Sequence, residues 1–433
     1  MSTRREFLSL LAVPGLAMGI DAAAAASSRA PEFAPDAQAD DATVFTAARG
    51  QFLIPAGVAY CNTGTLGASP REVVDALIEG IRRNETELAA WPYEQPDGEP
   101  LTGYQKLLPL REALGRFINA PAADIALTQN ATMGMNFLAN GLDLAAGDEV
   151  VSTDQEHGGC ISIWRLLAKR RGIVLKELPL EPALAGGPEA VLSLFESAMT
   201  PRTRVVMFSH VTSGLGAKLP ARELCALAKS RGALAFVDGA QAVGQIQVDV
   251  PALGCDAYVG SPHKWMLAPK GTGFLYLRHE VQDRFWTTLA SYQWDNHEDG
   301  AFRFMQYGTG SVPVVEGLAA ALRFIDRIGM ARIERWDSGL TQRLREGLAN
   351  VPVVRVASPA DPRLAAAITT FRVNGVKAKA LQDALWARQV RVRAQNDERG
   401  VRLSAHLYVS PADVDRALEV VRDVARALGR GQP

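Results

Sequence analysis

From residue 124 to residue 277 the sequence alternates between short apolar runs and longer stretches in which apolar residues return every three or four positions. The short runs, at 124–127, 149–153, 173–178, 204–209, 234–237, 256–259 and 273–277, have the length of strands. Between several of them lie helical patterns. Residues 161–172 and 219–232 each put apolar side chains on one face and finish in basic residues and glycine, as helix C-termini do. Residues 129–142 read as a helix whose first turn holds Asn130, Ala131 and Thr132. Strands alternating with helices predict an α/β fold, a mainly parallel sheet covered on both faces. Upstream, 72–84 and 107–118 have helical spacing, with Ser69 as the cap and Pro70 as the first residue of the earlier helix. Downstream, a long helical pattern at 312–328 leads to a smaller α+β domain. That domain has strand-like pieces at 368–373 and 401–403 and helices at 378–389 and 411–428.

Composition adds limits. A chain of 433 residues, 48% hydrophobic and 21% charged, can bury a large core and has length enough for two or three domains. Its net charge of −1 supplies no basic field for nucleic acid or anionic lipid. Cys61, Cys160, Cys225 and Cys255 are far apart and form no CxxC pair, so no metal site is expected.

The first 26 residues read as a leader. Ser2 to Leu8, STRREFL, resembles the twin-arginine export signal, and a mild apolar run follows to Ile20. That run is diluted by Pro14, Gly15 and Gly19, whereas a spanning helix needs about 20 apolar residues. Cleavage near Ala24 to Ala26 and a periplasmic location are the expectation, with the export machinery as a partner; an uncleaved anchor is the other reading. The expected layout is a signal at 1–26 and a linker at 27–50, rich in Ala, Pro and Asp. A large domain at 51–310 follows, then a linking helix and small domain at 311–433.

Chemistry concentrates in two segments, FVDGAQAVG at 236–244 and GSPHKWMLAPKGTGFLYLR at 260–278. Lys264 lies where one strand-like run ends and another is about to begin, and loops at strand ends are where open α/β sheets keep reactive groups. The helix start at Ala131 and Thr132 offers free backbone amides to a phosphate.

Taken in order, EHGGCISIW, SHVTSGLG, VDGAQAVG, GSPHKWMLAPKGTG, YGTGS and VRLSAHLY resemble the class V aminotransferase family of pyridoxal-phosphate enzymes, from Tyr60 to about Leu428. The resemblance implies the type I fold of pyridoxal-phosphate transferases, with a sheet of the seven-stranded type. It implies that Lys264 holds the aldehyde of pyridoxal 5'-phosphate as an imine. Asp238 then faces the pyridine nitrogen, Gln241 the phenolic oxygen, and His157 stacks on the ring and helps move protons. Ser261, His263, Ala131 and Thr132 match the phosphate set. Ser213 falls in a cofactor-binding motif, and Thr309 matches a residue that reaches the phosphate from the neighbouring subunit of a homodimer. Arg402 matches the arginine that grips the substrate's α-carboxylate, with Arg391 and Arg393 as alternatives, and Asn62 lies on a loop that approaches the substrate.

Departures narrow the expectation. RAQNDERG, 393–400, has no cysteine where the desulfurase branch has its nucleophile, so sulfur transfer is not expected. Ser213 is similar to the isopenicillin N epimerase-like branch, and Val409 replaces a common asparagine. Transamination and epimerisation at the α-carbon of an amino acid or peptide-derived amine both remain open. A non-catalytic cofactor-binding module is the alternative from another class. Among exported members the chain is similar to those that tailor pyoverdine siderophores, which makes a siderophore precursor an expected substrate.

Overall fold

In the computed structural model, which describes residues 33–87 and 105–429, the alternating segment becomes a seven-stranded sheet. The signal expected at 1–26 lies outside the described residues. In chain order the elements begin with α1 (Asp41–Arg49), β1 (Ala59–Tyr60), α2 (Arg71–Glu87), α3 (Leu108–Ile118), β2 (Ile125–Thr128), α4 (Ala131–Gly141), β3 (Glu149–Thr153), α5 (Gly158–Arg171) and β4 (Val174–Leu178). They continue through α6 (Leu180–Leu184), α7 (Gly187–Ala198), β5 (Thr203–Ser209), α8 (Ala221–Ser230), β6 (Leu234–Asp238), α9 (Val250–Leu253), β7 (Ala257–Gly260) and β8 (Gly273–Leu277). The C-terminal part comprises α10 (Val312–Ile328), α11 (Met330–Ala349), β9 (Val354–Val356), β10 (Ile368–Val373), α12 (Ala378–Ala387), β11 (Val390–Arg391), β12 (Arg393–Ala394), β13 (Val401–Ser404) and α13 (Pro411–Gly429).

The large sheet has the order β2-β8-β7-β6-β5-β3-β4, and β8 alone runs antiparallel to its neighbours. Its central strands are buried on both faces, which is why they read as continuous apolar runs. Trp164, Phe208, Phe236, Tyr258 and Phe274 fill the layers above and below it. Because β3, β5, β6 and β7 share one direction, the loops that follow them gather at one edge. A small antiparallel sheet, β12-β13-β10-β9, carries the C-terminal motif, and β1 pairs with β11. The described residues all fall within one compact unit, so the boundary expected at 310/311 separates two sheets rather than two separately packed bodies.

Three expectations are corrected. The stretch read as a linker contains α1, capped by Asp40, which accepts from the Thr43 amide. Val44, Phe45 and Ala48 are buried, and Phe45 stacks on Trp336 at 4.6 Å. Only three apolar positions on one short helix face signal it, too few to stand out from an Ala-rich background. Ser69 is not a cap: its hydroxyl donates to the Ala268 carbonyl, and α2 starts at Arg71 with the Pro70 carbonyl accepting from Val73 and Val74. Finally, α7 and α11 lie outside the predicted elements. In α11 the buried stripe includes Asp337 and Thr341, polar residues that interrupt the apolar period.

Candidate active site

The loops after β3, β5, β6 and β7 meet α4 and the small sheet around a cavity of about 640 Å³. Ala131, Thr132, His157, Ser213, Asp238, Gln241, Ser261, His263, Lys264 and Arg402 all line it. Asn62 stands behind the wall, within 3.5 Å of Arg402. Thr309 is exposed and does not line the cavity of the single chain.

Lys264 is fixed by its turn. Its own amide donates to Ser261, and Leu267, fully buried, holds φ at 60°, a conformation that costs a residue with a Cβ. The 62–68 loop closes over this turn: the Gly67 amide donates to the His263 carbonyl, and a Cβ on Gly67 would stand 1.9 Å from the Lys264 carbonyl oxygen. Next to Lys264, the Trp265 indole donates to Gln241 Oε1 at 2.8 Å while Gln241 Nε2 donates to the Gly64 carbonyl. These two bonds settle which end of the Gln241 amide is nitrogen and leave its second N–H for a ligand. The Trp265 carbonyl accepts from His406 Nε2 at 2.9 Å, and His406 Nδ1 lies 2.7 Å from Asp337 Oδ2, both side chains being fully buried. Burial pulls the Lys264 amine below the ordinary lysine range; Asp238 opposes this, and the Arg402 charge adds to it. The neutral amine therefore costs less there than in an ordinary exposed lysine.

Asp238 ends β6, and its Oδ1 accepts from the Ala240 amide at 2.9 Å. Gly239 lets the chain turn there, since a Cβ would meet the Tyr258 ring at 1.9 Å. The Cys160 thiol donates to Asp238, and burial with that carboxylate pushes the thiol well above its usual range. Behind them Glu156 accepts from Thr153 and Ser209. Burial lifts its carboxyl to about 7, with Asp238 adding to the effect. His157 caps α5, its Nδ1 accepting from the Gly159 amide at 3.1 Å, so the neutral ring carries its proton on Nε2. Partial desolvation and the Lys264 charge keep that ring below the ordinary histidine range.

At one end of the cavity α4 presents its N-terminus, capped by Asn130, and the Ala131 amide donates to Ser261 Oγ. His263 Nδ1 donates to the Thr272 carbonyl, so its Nε2 can serve an anion as a donor only when the ring holds a second proton. An adjacent phosphate favours that form. At the other end Arg402 donates to the Ser213 carbonyl at 2.9 Å and to Thr65 Oγ1 at 2.6 Å, and its buried Nε has no partner. Burial, then the neighbouring Arg393, lowers Arg402 to about 10, which still leaves it a cation at neutral pH. Of the two alternatives, Arg393 lines the cavity, whereas Arg391 lies over the Trp386 ring at 5.3 Å.

Thr65 and Cys160 are wall residues to which the sequence gave no role, and His406 and Asp337 brace the wall from behind. The histidine inside VRLSAHLY was the one visible signal for that brace; Asp337, in a helix the apolar pattern missed, gave none.

The sequence model of the family described as "Aminotransferase class-V" matches residues 101–417. The isopenicillin N epimerase of Amycolatopsis lactamdurans is 32% identical over 408 residues, covering 89% of this chain and 100% of that protein. A probable cysteine desulfurase of Mycolicibacterium paratuberculosis is 31% identical over 341 residues, 73% of this chain and 48% of its own length. Among solved structures, the apo cysteine desulfurase of Thermococcus onnurineus NA1 superposes with a TM-score of 0.76 at 27% identity, over 88% of this chain and 97% of that one.

Proposed function

Because this chain belongs to the class V aminotransferase family, which uses pyridoxal 5'-phosphate, we propose that it acts at the α-carbon of an amino acid or amino-acid-derived amine, as a transaminase or an epimerase. The observation that carries the proposal is one cavity holding Lys264, with its depressed pKa, Asp238, and a buried arginine with spare donors.

The residues fit the cofactor. Lys264 would hold its aldehyde, Asp238 its ring nitrogen, the free N–H of Gln241 its phenolic oxygen, and the α4 N-terminus with Ser261 and His263 its phosphate. When bound, the cofactor supplies an electron-poor ring that stabilises negative charge left at the substrate's α-carbon. Arg402 orients the substrate by placing a fixed positive charge on the cavity wall for its carboxylate. Lys264, whose burial eases loss of its proton, takes the α-proton and returns it. Return by Lys264 to the same face of that carbon restores the substrate; a proton delivered to the opposite face by a second donor gives epimerisation, and one delivered to a different atom gives transamination.

Desulfurase relatives stand at similar identity, yet Cys160, the cavity's one cysteine, favours the first reading. Its thiol is held in the protonated form beside Asp238, opposite to what a sulfur nucleophile needs. Thr309, exposed on the single chain, suits a homodimer in which it faces the partner's cavity. Export is proposed from the twin-arginine segment, and it makes a maturing secreted product, such as a pyoverdine-type siderophore precursor, the first substrate to try.

The test is incubation of cofactor-loaded protein in heavy water with a panel of amino acids, free-amine peptides and a ferribactin-type precursor. Deuterium at the α-carbon with mixed stereoisomers indicates an epimerase; consumption of an oxo acid indicates a transaminase. Sulfide released from cysteine at a comparable rate refutes the preference over desulfurase, and an unchanged precursor removes the siderophore substrate.

A further inference from the structure

Two guanidinium groups meet at the substrate end of the cavity. Arg393 in β12 and Arg402 in β13 are register partners, directly opposite each other across an antiparallel pair and therefore on one face. One oxygen joins them: Thr65 Oγ1 accepts from Arg402 at 2.6 Å and from Arg393 at 3.3 Å, and its own hydrogen goes to Asn62 Oδ1 at 2.8 Å. The acceptors of both arginines are neutral oxygens, those of Thr65, Asn62 and the Ser213 carbonyl. Like charges placed opposite one another across a strand pair destabilise it, and the Arg393 charge adds to burial in depressing Arg402. The fold thus maintains a repulsive pair that no carboxylate among the described residues neutralises through a direct ion pair.

A charge inventory of the cavity shows what would neutralise it. Among the described residues Asp238 is the only carboxylate on the wall. On the reading given under Proposed function, on which this inference rests, Asp238 is matched by the cofactor's ring nitrogen and the phosphate by α4, Ser261 and His263. A substrate α-carboxylate balances Arg402. Arg393 is left over, at the rim, more exposed than Arg402 and able to reach a group farther along the substrate.

We propose that Arg393 forms a subsite for a second acidic group, so that the enzyme prefers amino acids, or the amino-acid ends of larger molecules, that carry an acid group beyond the α-carboxylate. Bringing a second anion to the paired guanidiniums removes their repulsion and adds a charge-assisted hydrogen bond. Arg393 selects among substrates; the bond-breaking step belongs to Lys264.

The experiment uses the holoenzyme and two matched pairs of probes, glutamate against norvaline and 2-aminoadipate against norleucine, which differ only in a terminal carboxylate replacing a methyl group. Affinity is read from the change in the bound cofactor's visible absorption and from calorimetry, without turnover. The acidic member of at least one pair should bind about tenfold more tightly, the scale of one charge-assisted hydrogen bond. In Arg393→Gln that ratio should fall to within about twofold of unity, in Arg393→Lys it should recover in part, and in Arg402→Gln both members of each pair should weaken. Ratios near one in the wild type, or a preference that survives Arg393→Gln, overturn the subsite while leaving the α-carbon reading intact. No spectral response to any of the four probes, with the cofactor's band present, instead strikes the underlying reading and the subsite with it.

Discussion

Removing either member of the buried His406–Asp337 pair should destabilise the protein by several kcal/mol. The Trp265 carbonyl can only accept, so His406 Nε2 carries a proton, and a further proton lies between Nδ1 and Asp337 Oδ2, 2.7 Å apart. Both side chains are buried, at 0% and 1% exposure, and Asp337 Oδ1 already has no partner. Burial pushes the Asp337 carboxyl above its ordinary range, with the His406 contact pulling the other way. His406→Ala therefore strands a carboxyl in the interior, at a cost of about 3–5 kcal/mol. With an unfolding entropy of about 2.1 cal/mol/K per residue over about 400 residues, the melting temperature should fall by about 4–6 °C. Asp337→Ala strands the histidine in the same way. The double variant strands neither, so its cost should undercut the sum of the singles by about 2 kcal/mol or more. Asp337→Asn, which can donate to Nδ1, should lose about 1 kcal/mol. Thermal and urea unfolding of cofactor-loaded protein measure all four. Additivity of the two alanine changes to within about 0.5 kcal/mol would refute a coupled pair.

Lys264→Ala should abolish turnover and the visible band of the bound cofactor together, and full activity in that variant sinks the assignment. Asp238→Ala should cripple turnover, with a loss on the scale of about 3–5 kcal/mol for an unpaired buried partner, measured as kcat/KM. Arg402→Gln should raise KM for any α-amino acid more than it lowers kcat, as loss of a ground-state carboxylate contact requires. Glu156 sets a pH dependence: with its carboxyl raised from 4.5 to about 7, the folded protein keeps a proton that the unfolded chain has released. Its contribution to stability is complete below 4.5 and is lost as pH rises through about 7. Glu156→Gln should flatten that part of the curve of melting temperature against pH, and an unchanged curve excludes Glu156 as its source.

The half of the site that does chemistry was legible in the sequence because each piece is local. Lys264, Asp238 and His157 each sit in a short segment that follows a buried strand, and a parallel sheet brings such segments to one edge without further information. The α4 N-terminus is local as well, a strand, a cap and a helix within a few residues. The strands themselves were readable because both faces are buried, which removes the polar alternation that blurs half-exposed strands. What was lost lay where polar residues do the burying. In α11, Asp337 occupies a position that an apolar period assigns to a hydrophobic side chain, and it can do so only because His406 meets it from a segment 69 positions away. Pairings of that range leave no periodic trace.

The substrate end is built almost wholly from such pairings, and this bears on how relatives of the same fold come to differ in what they bind. Thr65, Ser213, Arg393 and Arg402 come from four segments, and the bonds among them span from 189 to 337 positions. Lys264, by contrast, is held in place by its own turn, by the 62–68 loop and by the Trp265 contacts to Gln241 and His406. The two ends thus share the cavity and the 62–68 loop, while Arg393 itself bonds to Thr65 rather than to the Lys264 turn. Arg393 sits on a short hairpin at the rim, so a change there can alter which substrate is held without moving the amine that takes the proton. Substrate choice in this chain should therefore respond to substitutions in 393–396, which line the cavity, while the visible spectrum of the bound cofactor stays the same. A spectrum that shifts whenever selectivity shifts would mean that the two ends are mechanically one.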